Sequence, residues 1–202
     1  MKTFEAHHEK GVHTKLFTWT DLNNIINNPY MVRTGLFRVP ALEIGAYRPP
    51  HKIKEWFNNE VCVLEGMTKC TKKVNALCEK FEEEYGDRCD AHLYVQKKKD
   101  IPHPFGIHYD QNQVIIVQAQ GTTNYKVWDK VLNPENDRHQ NLSNNLKMTN
   151  DPILDVDLEP GDAVWIPREH PHLATTVTPK RISVSFSLAK ENQITDREWI
   201  KV

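Results

Sequence analysis

The stretch Glu159-Pro160-Gly161-Asp162-Ala163-Val164-Trp165-Ile166-Pro167-Arg168-Glu169-His170-Pro171-His172 reads as a turn, a short strand and a second turn. Pro160-Gly161-Asp162 supplies the first turn, and Ala163 to Pro167 the apolar run. His172 then opens a second run that reaches Val177. Working outward, similar short runs of β-branched and aromatic residues lie at His92 to Gln96, Phe105 to Tyr109, Val114 to Gln120, Asn124 to Asp129, Ile153 to Leu158 and Ile182 to Leu188. Eight short strands crowded into the later part of a chain, after helices that can cover one face, predict a mainly β fold with N-terminal helices. The expected architecture is a two-sheet jelly roll, a double-stranded β-helix barrel. An α/β fold would instead alternate strand with helix.

The first ninety residues read as a mixed helical scaffold packing on that barrel. A short helix is expected over Asp21 to Asn27 with Thr20 as its cap, and another over His51 to Asn58 after Pro49-Pro50. The clearest helix runs from Thr68 to Tyr85, where Val74, Leu77, Cys78, Phe81 and Tyr85 recur at three- and four-residue steps and Gly86 stands at the C-terminal stop. No linker or composition shift divides the 202 residues, so the expectation is one domain over 1–202. Within it, 1–89 is scaffold, 90–189 the barrel with an insertion at 130–152, and 190–202 a tail.

Hydrophobic residues at 39% and charged residues at 26% suit a folded, soluble chain, and a formal charge of -1 gives no bulk electrostatic reason to expect nucleic-acid binding. The run Lys97-Lys98-Lys99 reads as a solvated turn. The start, MKTFEAHHEKG, has charges where a signal peptide needs an apolar run, and no run approaches the roughly eighteen apolar residues of a membrane span, so an intracellular, cytoplasmic protein is expected. Cys62, Cys70, Cys78 and Cys89 form no CxxC pair and read as free structural thiols.

His108-Tyr109-Asp110 puts an imidazole and a carboxylate two residues apart at the end of an expected strand, so both side chains can enter one cavity. Alone, such a tripeptide is common. Here it sits between expected strands, and His172 follows some sixty residues later on the turn that returns the chain to the barrel mouth. Two histidines and a carboxylate on one face leave open positions on an octahedral metal, the pattern of non-haem Fe(II) oxygenases, although catalytic zinc uses the same donors. His170 competes for the third place but falls inside the turn. The remaining histidines, His7, His8, His13, His51, His92, His103 and His139, read as surface or structural.

Several segments together resemble the JmjC and cupin-like 2-oxoglutarate oxygenases: Asp90 to Val95, Pro104 to Asp110, Gln118-Ala119-Gln120-Gly121 and Lys126-Val127-Trp128, with Pro167-Arg168 to His172 similar to the family's Pro-Arg-Gly-x-x-His turn. The resemblance covers about Asp90 to Ala189. It implies Fe(II) held by His108, Asp110 and His172, and a dioxygenase that couples decarboxylation of 2-oxoglutarate to succinate with hydroxylation or demethylation of a substrate. Members of this group usually place a Lys or Arg fifteen residues past the first histidine to bind the distal carboxylate of 2-oxoglutarate; that position is Thr123 here, and Lys126, three positions later, is one candidate for the role. The last expected strand offers a substitute. Arg181, Ser183, Ser185 and Ser187 share one face, and Arg181-Ile182-Ser183 looks like the Arg-x-Ser signature of the other main group of 2-oxoglutarate oxygenases. The alternative is a polar face turned to solvent. Tyr94 and Gln96 share a face of the first barrel strand and could add hydrogen bonds to the cosubstrate.

Two rival readings stay open. One is a metal cupin that uses these ligands without a keto acid, for which Arg181 is dispensable; the other is a barrel kept as a non-catalytic binding module. The substrate beyond O2 is undefined, a small molecule or a peptide side chain being favoured by the small chain, and oligomeric state is open.

Overall fold

The computed structural model describes residues 4–28, 37–38, 50–99, 105–130 and 148–189. Most of the expected insertion and the tail at 190–202 therefore lie outside the described residues, as do His103 and His139.

Seven of the eight expected strands are present: β4 (Arg88–Gln96), β5 (Gln113–Gln120), β6 (Thr123–Val127), β7 (Leu154–Leu158), β8 (Ala163–Ile166), β9 (His172–Thr176) and β10 (Arg181–Ala189). The strand expected over Phe105 to Tyr109 does not form. Gly106 turns the chain with φ 57°, and only His108 makes a bridge, to His172. The N-terminal part contributes strands as well as helices: β1 (His7–Glu9), β2 (Phe37–Arg38) and β3 (Cys62–Leu64). They are too short to show the alternation on which a sequence-based assignment depends.

The strands make two antiparallel sheets, ordered β1-β8-β5-β10-β4-β3-β2 and β7-β6-β9, which face each other as a jelly roll. β10 is central. It pairs with β4 from Arg181↔Gln96 to Ala189↔Arg88 and with β5 from Ile182↔Gln120 to Leu188↔Gln113. The period-2 alternation of a strand gives its two faces different duties. Ile182, Val184, Phe186 and Leu188 join the apolar layer beneath the helices, while Arg181, Ser183 and Ser185, all buried, turn inward between the sheets. A smaller apolar cluster fills part of that interior, with Val114, Ile116, Val164 and Ile166 meeting Tyr125, Val127, Leu158 and Ala174.

Three helices occur among the described residues: α1 (Trp19–Ile26), α2 (Pro50–Asn59) and α3 (Lys72–Tyr85). In α3 the stripe Val74, Leu77, Cys78, Phe81 and Tyr85 is buried, and Phe81 meets Phe186 edge to face at 5.3 Å. Burial of each large apolar side chain stabilises the fold by roughly 1.5–3 kcal/mol. Gly86 ends α3 in the left-handed conformation, φ 75°, and its N–H donates to the Glu82 carbonyl. The helix starts later than the periodicity suggests because 67–71 is stitched to β4: Met67 N–H donates to Ala91 O, and the Thr68 hydroxyl donates to Asp90 and accepts from Ala91 N–H. α1 is capped by Thr18, not Thr20. Thr18 Oγ1 accepts from Asp21 N–H while Asp21 Oδ2 accepts from Thr18 N–H, a reciprocal box that needs an acid three residues on. No helix among the described residues is long and apolar enough to cross a membrane. Lys97 and Lys98 donate to Asn58 and Asn59 at the end of α2.

Asp162 ties the N-terminal segment to the barrel. Its carboxylate accepts from Gly11 N–H at 2.8 Å and Glu159 N–H at 3.0 Å, and His8 Nε2 lies 3.3 Å away. Burial pushes this carboxyl up, but the donors from Glu159, Gly11 and His8 outweigh it and hold the group below its ordinary range. A depressed carboxyl favours the fold while it is ionised, so its contribution is complete above the unfolded value of about 3.9 and disappears as pH falls through the lower folded value. Asp162→Asn is expected to cost about 1–3 kcal/mol at pH 7. It is also expected to flatten the acid limb of the stability–pH profile, which urea unfolding at a series of pH values measures.

Candidate metal centre

His108 and His172 face each other as an antiparallel hydrogen-bonded pair: His108 N–H donates to His172 O at 3.1 Å, and His172 N–H donates to His108 O at 2.7 Å. This pair fixes two histidine Cα positions from segments far apart in sequence. Their rings lie 4.3 Å apart, tilted by 55°. Each ring is oriented in the same way, His108 Nδ1 against Gly106 O and His172 Nδ1 against His170 O, both at 3.1 Å. A carbonyl only accepts, so each Nδ1 carries a proton, which leaves Nε2 as the nitrogen that can face a metal. Asp110, two residues past His108, brings Oδ2 to 3.7 Å from His172 Nε2. Among the described residues these three form the metal-capable cluster, with one donor atom from each lying within 4.8 Å of the others. Burial, reinforced by the neighbouring His108, lowers the pKa of His172 to about 4, so its imidazole is neutral and available near pH 7. Two imidazole nitrogens and a carboxylate oxygen converging from one side fit a divalent first-row metal with open positions opposite.

The turn carrying His172 is held by the same loop that carries the other two residues. Glu169 N–H donates to the Asp110 carbonyl at 2.8 Å, and Glu169 adopts φ 63°, a conformation that favours glycine. Its carboxylate pairs with Lys130. Arg168 reaches Asp87, which also accepts from Gln113 at the start of β5. His170 stays apart, its Nδ1 held by Arg168 O at 3.0 Å.

Deeper in the barrel is a buried polar chamber. Arg181, 1% exposed, donates through Nε to Ser183 Oγ at 3.0 Å, through Nη1 to Thr176 Oγ1 at 3.3 Å and through Nη2 to Tyr125 Oη at 3.5 Å. Ser183 passes a hydrogen bond to Gln118 Oε1, and Thr176 passes one to Gln96 Oε1. Gln118 and Gln96 in turn donate to backbone carbonyls of Gln120, Gly121 and Lys98. Every one of these partners is neutral, and among the described residues no carboxylate pairs with the guanidinium. Gly121, φ 67°, lets the β5–β6 turn close on this site, since a Cβ there would lie 3.2 Å from Arg181 Cα.

Arg181, Ser183 and Gln96 are thus brought together as expected from their strand faces. Lys126 is not. It lies on the opposite face of β6, side chain 40% exposed, and pairs with Asp155 at 3.2 Å; three residues from Thr123 is an odd step, which reverses the face. Tyr94 lies one same-face step from Gln96 along β4. There it helps line a cleft of about 210 Å³ beside Asp110, with Val63, His92, Asn112 and Ser185 among the other lining residues. Phe105 meets Tyr94 at 6.4 Å and His108 at 5.6 Å. The sequence reading places neither Tyr125 nor Thr176 at this site, names Gln118 only within the family resemblance and Thr123 only as the position where a Lys or Arg is expected, and takes His92 as surface or structural. The available signal was period-2 placement: polar side chains at inward positions of β5, β6 and β9.

A family model for the JmjC domain matches residues 67–195. This chain belongs to the JmjC domain family. The bifunctional lysine-specific demethylase and histidyl-hydroxylase NO66 of Drosophila persimilis is 28% identical over 106 residues, 52% of this chain and 15% of that protein. The NO66 of Drosophila pseudoobscura pseudoobscura matches at the same 28%, over 11% of its length. The chain therefore spans a small part of the length of those relatives. Its fold is that of the Escherichia coli ribosomal oxygenase YcfD, solved with cobalt and 2-oxoglutarate: TM-score 0.60 at 16% identity, covering 95% of this chain and 50% of the other.

If the three side chains hold a metal, saturating Co(II) at about a hundredfold excess over Kd should stabilise the JmjC domain by about 2.7 kcal/mol, raising the unfolding midpoint by roughly 5–10 °C. Calorimetric melting should show that gain abolished in His108→Ala and His172→Ala and kept in His170→Ala.

Proposed function

We propose that this JmjC domain is an Fe(II)- and 2-oxoglutarate-dependent oxygenase, a hydroxylase whose metal is held by His108, Asp110 and His172 and whose cosubstrate is anchored by Arg181 and Ser183. The observation that carries the reading is the buried guanidinium of Arg181, which meets only neutral partners among the described residues. A cation removed from water is costly without an anion, and an Arg fork matches a carboxylate. A ligand with a carboxylate at one end and metal-chelating oxygens at the other would satisfy both the chamber and the triad. Solved YcfD carries 2-oxoglutarate and cobalt, which agrees with that choice.

When bound by His108, Asp110, His172, Arg181 and Ser183, Fe(II) and 2-oxoglutarate would supply activation of O2, with one oxygen atom going to succinate and CO2 released, and the other going into a substrate C–H bond. The residues of the chain hold, orient and enclose. Gly106 O and His170 O fix the imidazole tautomers, Ser183 and Thr176 aim the guanidinium, and Gln118 and Gln96 fix those two hydroxyls.

The cleft beside Asp110 fits the acceptor substrate. At about 210 Å³ it is below the usual range for a whole cofactor or nucleotide, and among the described residues it is lined by hydroxyls, amides, His92 and the carboxylates of Glu65 and Asp110 without a Lys or Arg. A single polar amino-acid side chain presented by a peptide suits that size and polarity better than an anionic ligand. The histidyl-hydroxylase named in NO66 and the ribosomal oxygenase YcfD agree with a protein side chain as acceptor. A reducing intracellular compartment is consistent with four free cysteines.

Anaerobically loaded Fe(II) protein, exposed to O2 with 2-oxoglutarate, is expected to form succinate slowly without added substrate. His108→Ala should abolish this, and Arg181→Met should reduce it at least tenfold by raising KM for 2-oxoglutarate. Succinate formation unchanged in Arg181→Met would overturn the anchoring role. Its absence in the wild type, together with no calorimetric binding of 2-oxoglutarate to the metal-loaded protein, would leave a metal cupin of other chemistry.

A further inference from the structure

Thr123 begins β6 at the position where the resemblance leads one to expect a Lys or Arg, and it is fully buried. Its hydroxyl is the one buried side-chain polar atom without a hydrogen-bond partner among the described residues. Its surroundings locate it closely. Tyr125, two residues on and on the same face, reaches Arg181 Nη2, and Thr176, its register partner on β9, accepts from Arg181 Nη1. Antiparallel register partners project from the same face. The Thr123 side chain is therefore bracketed by two residues that touch the guanidinium, on the wall facing β10. Leaving a buried hydroxyl unsatisfied costs free energy, so the sequence keeps it against stability.

We infer that Thr123 is a specificity-determining residue of the anion chamber, its hydroxyl donating to the same distal carboxylate that Arg181 pairs with. This rests on the assignment of Arg181 to the cosubstrate. In this arrangement the charge that recognises the carboxylate comes from β10 and the neutral donor from β6. Thr123 selects for a dicarboxylate keto acid over one ending in a methyl group, because only the carboxylate gives its hydroxyl an acceptor.

The test is calorimetric titration of Mn(II)-loaded protein with 2-oxoglutarate and with 2-oxopentanoate, which keeps the keto-acid end and chain length but ends in a methyl group. Wild type should prefer 2-oxoglutarate. Thr123→Val should weaken 2-oxoglutarate by about 10- to 100-fold, the range for a hydrogen bond to a charged group. It should leave 2-oxopentanoate within about twofold and raise the ligand-free unfolding midpoint by about 2–4 °C, because the orphaned hydroxyl is gone. Thr123→Ser should keep the preference, and Thr123→Ala replaces the valine variant should that one not fold. If Thr123→Val binds 2-oxoglutarate like wild type, or loses both acids equally, the inference is overturned and the hydroxyl serves a structural water or packing. If wild type prefers 2-oxoglutarate and only Arg181→Met loses that preference, Thr123 falls and the anchoring role of Arg181 stands. If wild type shows no preference, both fall together.

Discussion

The register of β10 is the constraint on which the interior depends. Its neighbours on both sides fix it over its length, and a slip of one residue would carry Arg181 under the helices and Ile182 into the chamber. The strand can hold a cation and two buried serines, Ser183 and Ser185, in the interior because its other face is uniformly apolar and locked into α3 through contacts such as Phe81 on Phe186. Packing on one face and chemistry on the other are the same alternation seen from two sides.

The chamber is stable despite its polarity because each donor passes its bond to an acceptor that ends on backbone: Arg181 to Ser183 to Gln118 and on to Gln120 and Gly121, and Arg181 to Thr176 to Gln96 and on to Lys98. Satisfied networks of this kind are rigid and define one arrangement. What the described residues leave incomplete is the charge of Arg181 and the hydroxyl of Thr123, and both deficits lie at the same place. Such local destabilisation is typical of binding sites, where ligand rather than fold completes the bonding.

The triad is built differently. None of its members relies on a long strand: His108 and Asp110 sit on a loop, and His172 is the first residue of β9. Precision comes from backbone hydrogen bonds between the two loops, the reciprocal His108–His172 pair and Glu169 N–H on Asp110 O. The left-handed Glu169 lets the turn bring that N–H to Asp110, at the conformational cost of a side chain where glycine would be relaxed.

Much of this was legible beforehand. The barrel strands from β4 to β10, the helix ended by Gly86, the choice of His172 over His170 and the shared face of Arg181 and Ser183 follow from period, turn chemistry and spacing, which are local properties of a chain. Lys126 is close to Thr123 in sequence but an odd number of residues away, so strand parity turns it to the outer face of β6. The short strands β1, β2 and β3 carry no periodic signal, and the loop at Phe105 to Tyr109 looks like a strand until Gly106 turns it. The sequence by itself determined which residues face inward and which donors lie near one another along the chain. Only the tertiary structure decided that Thr176, Tyr125 and Thr123 surround the guanidinium, because pairing between β6 and β9 and closure of one sheet over the other join segments that no local period connects.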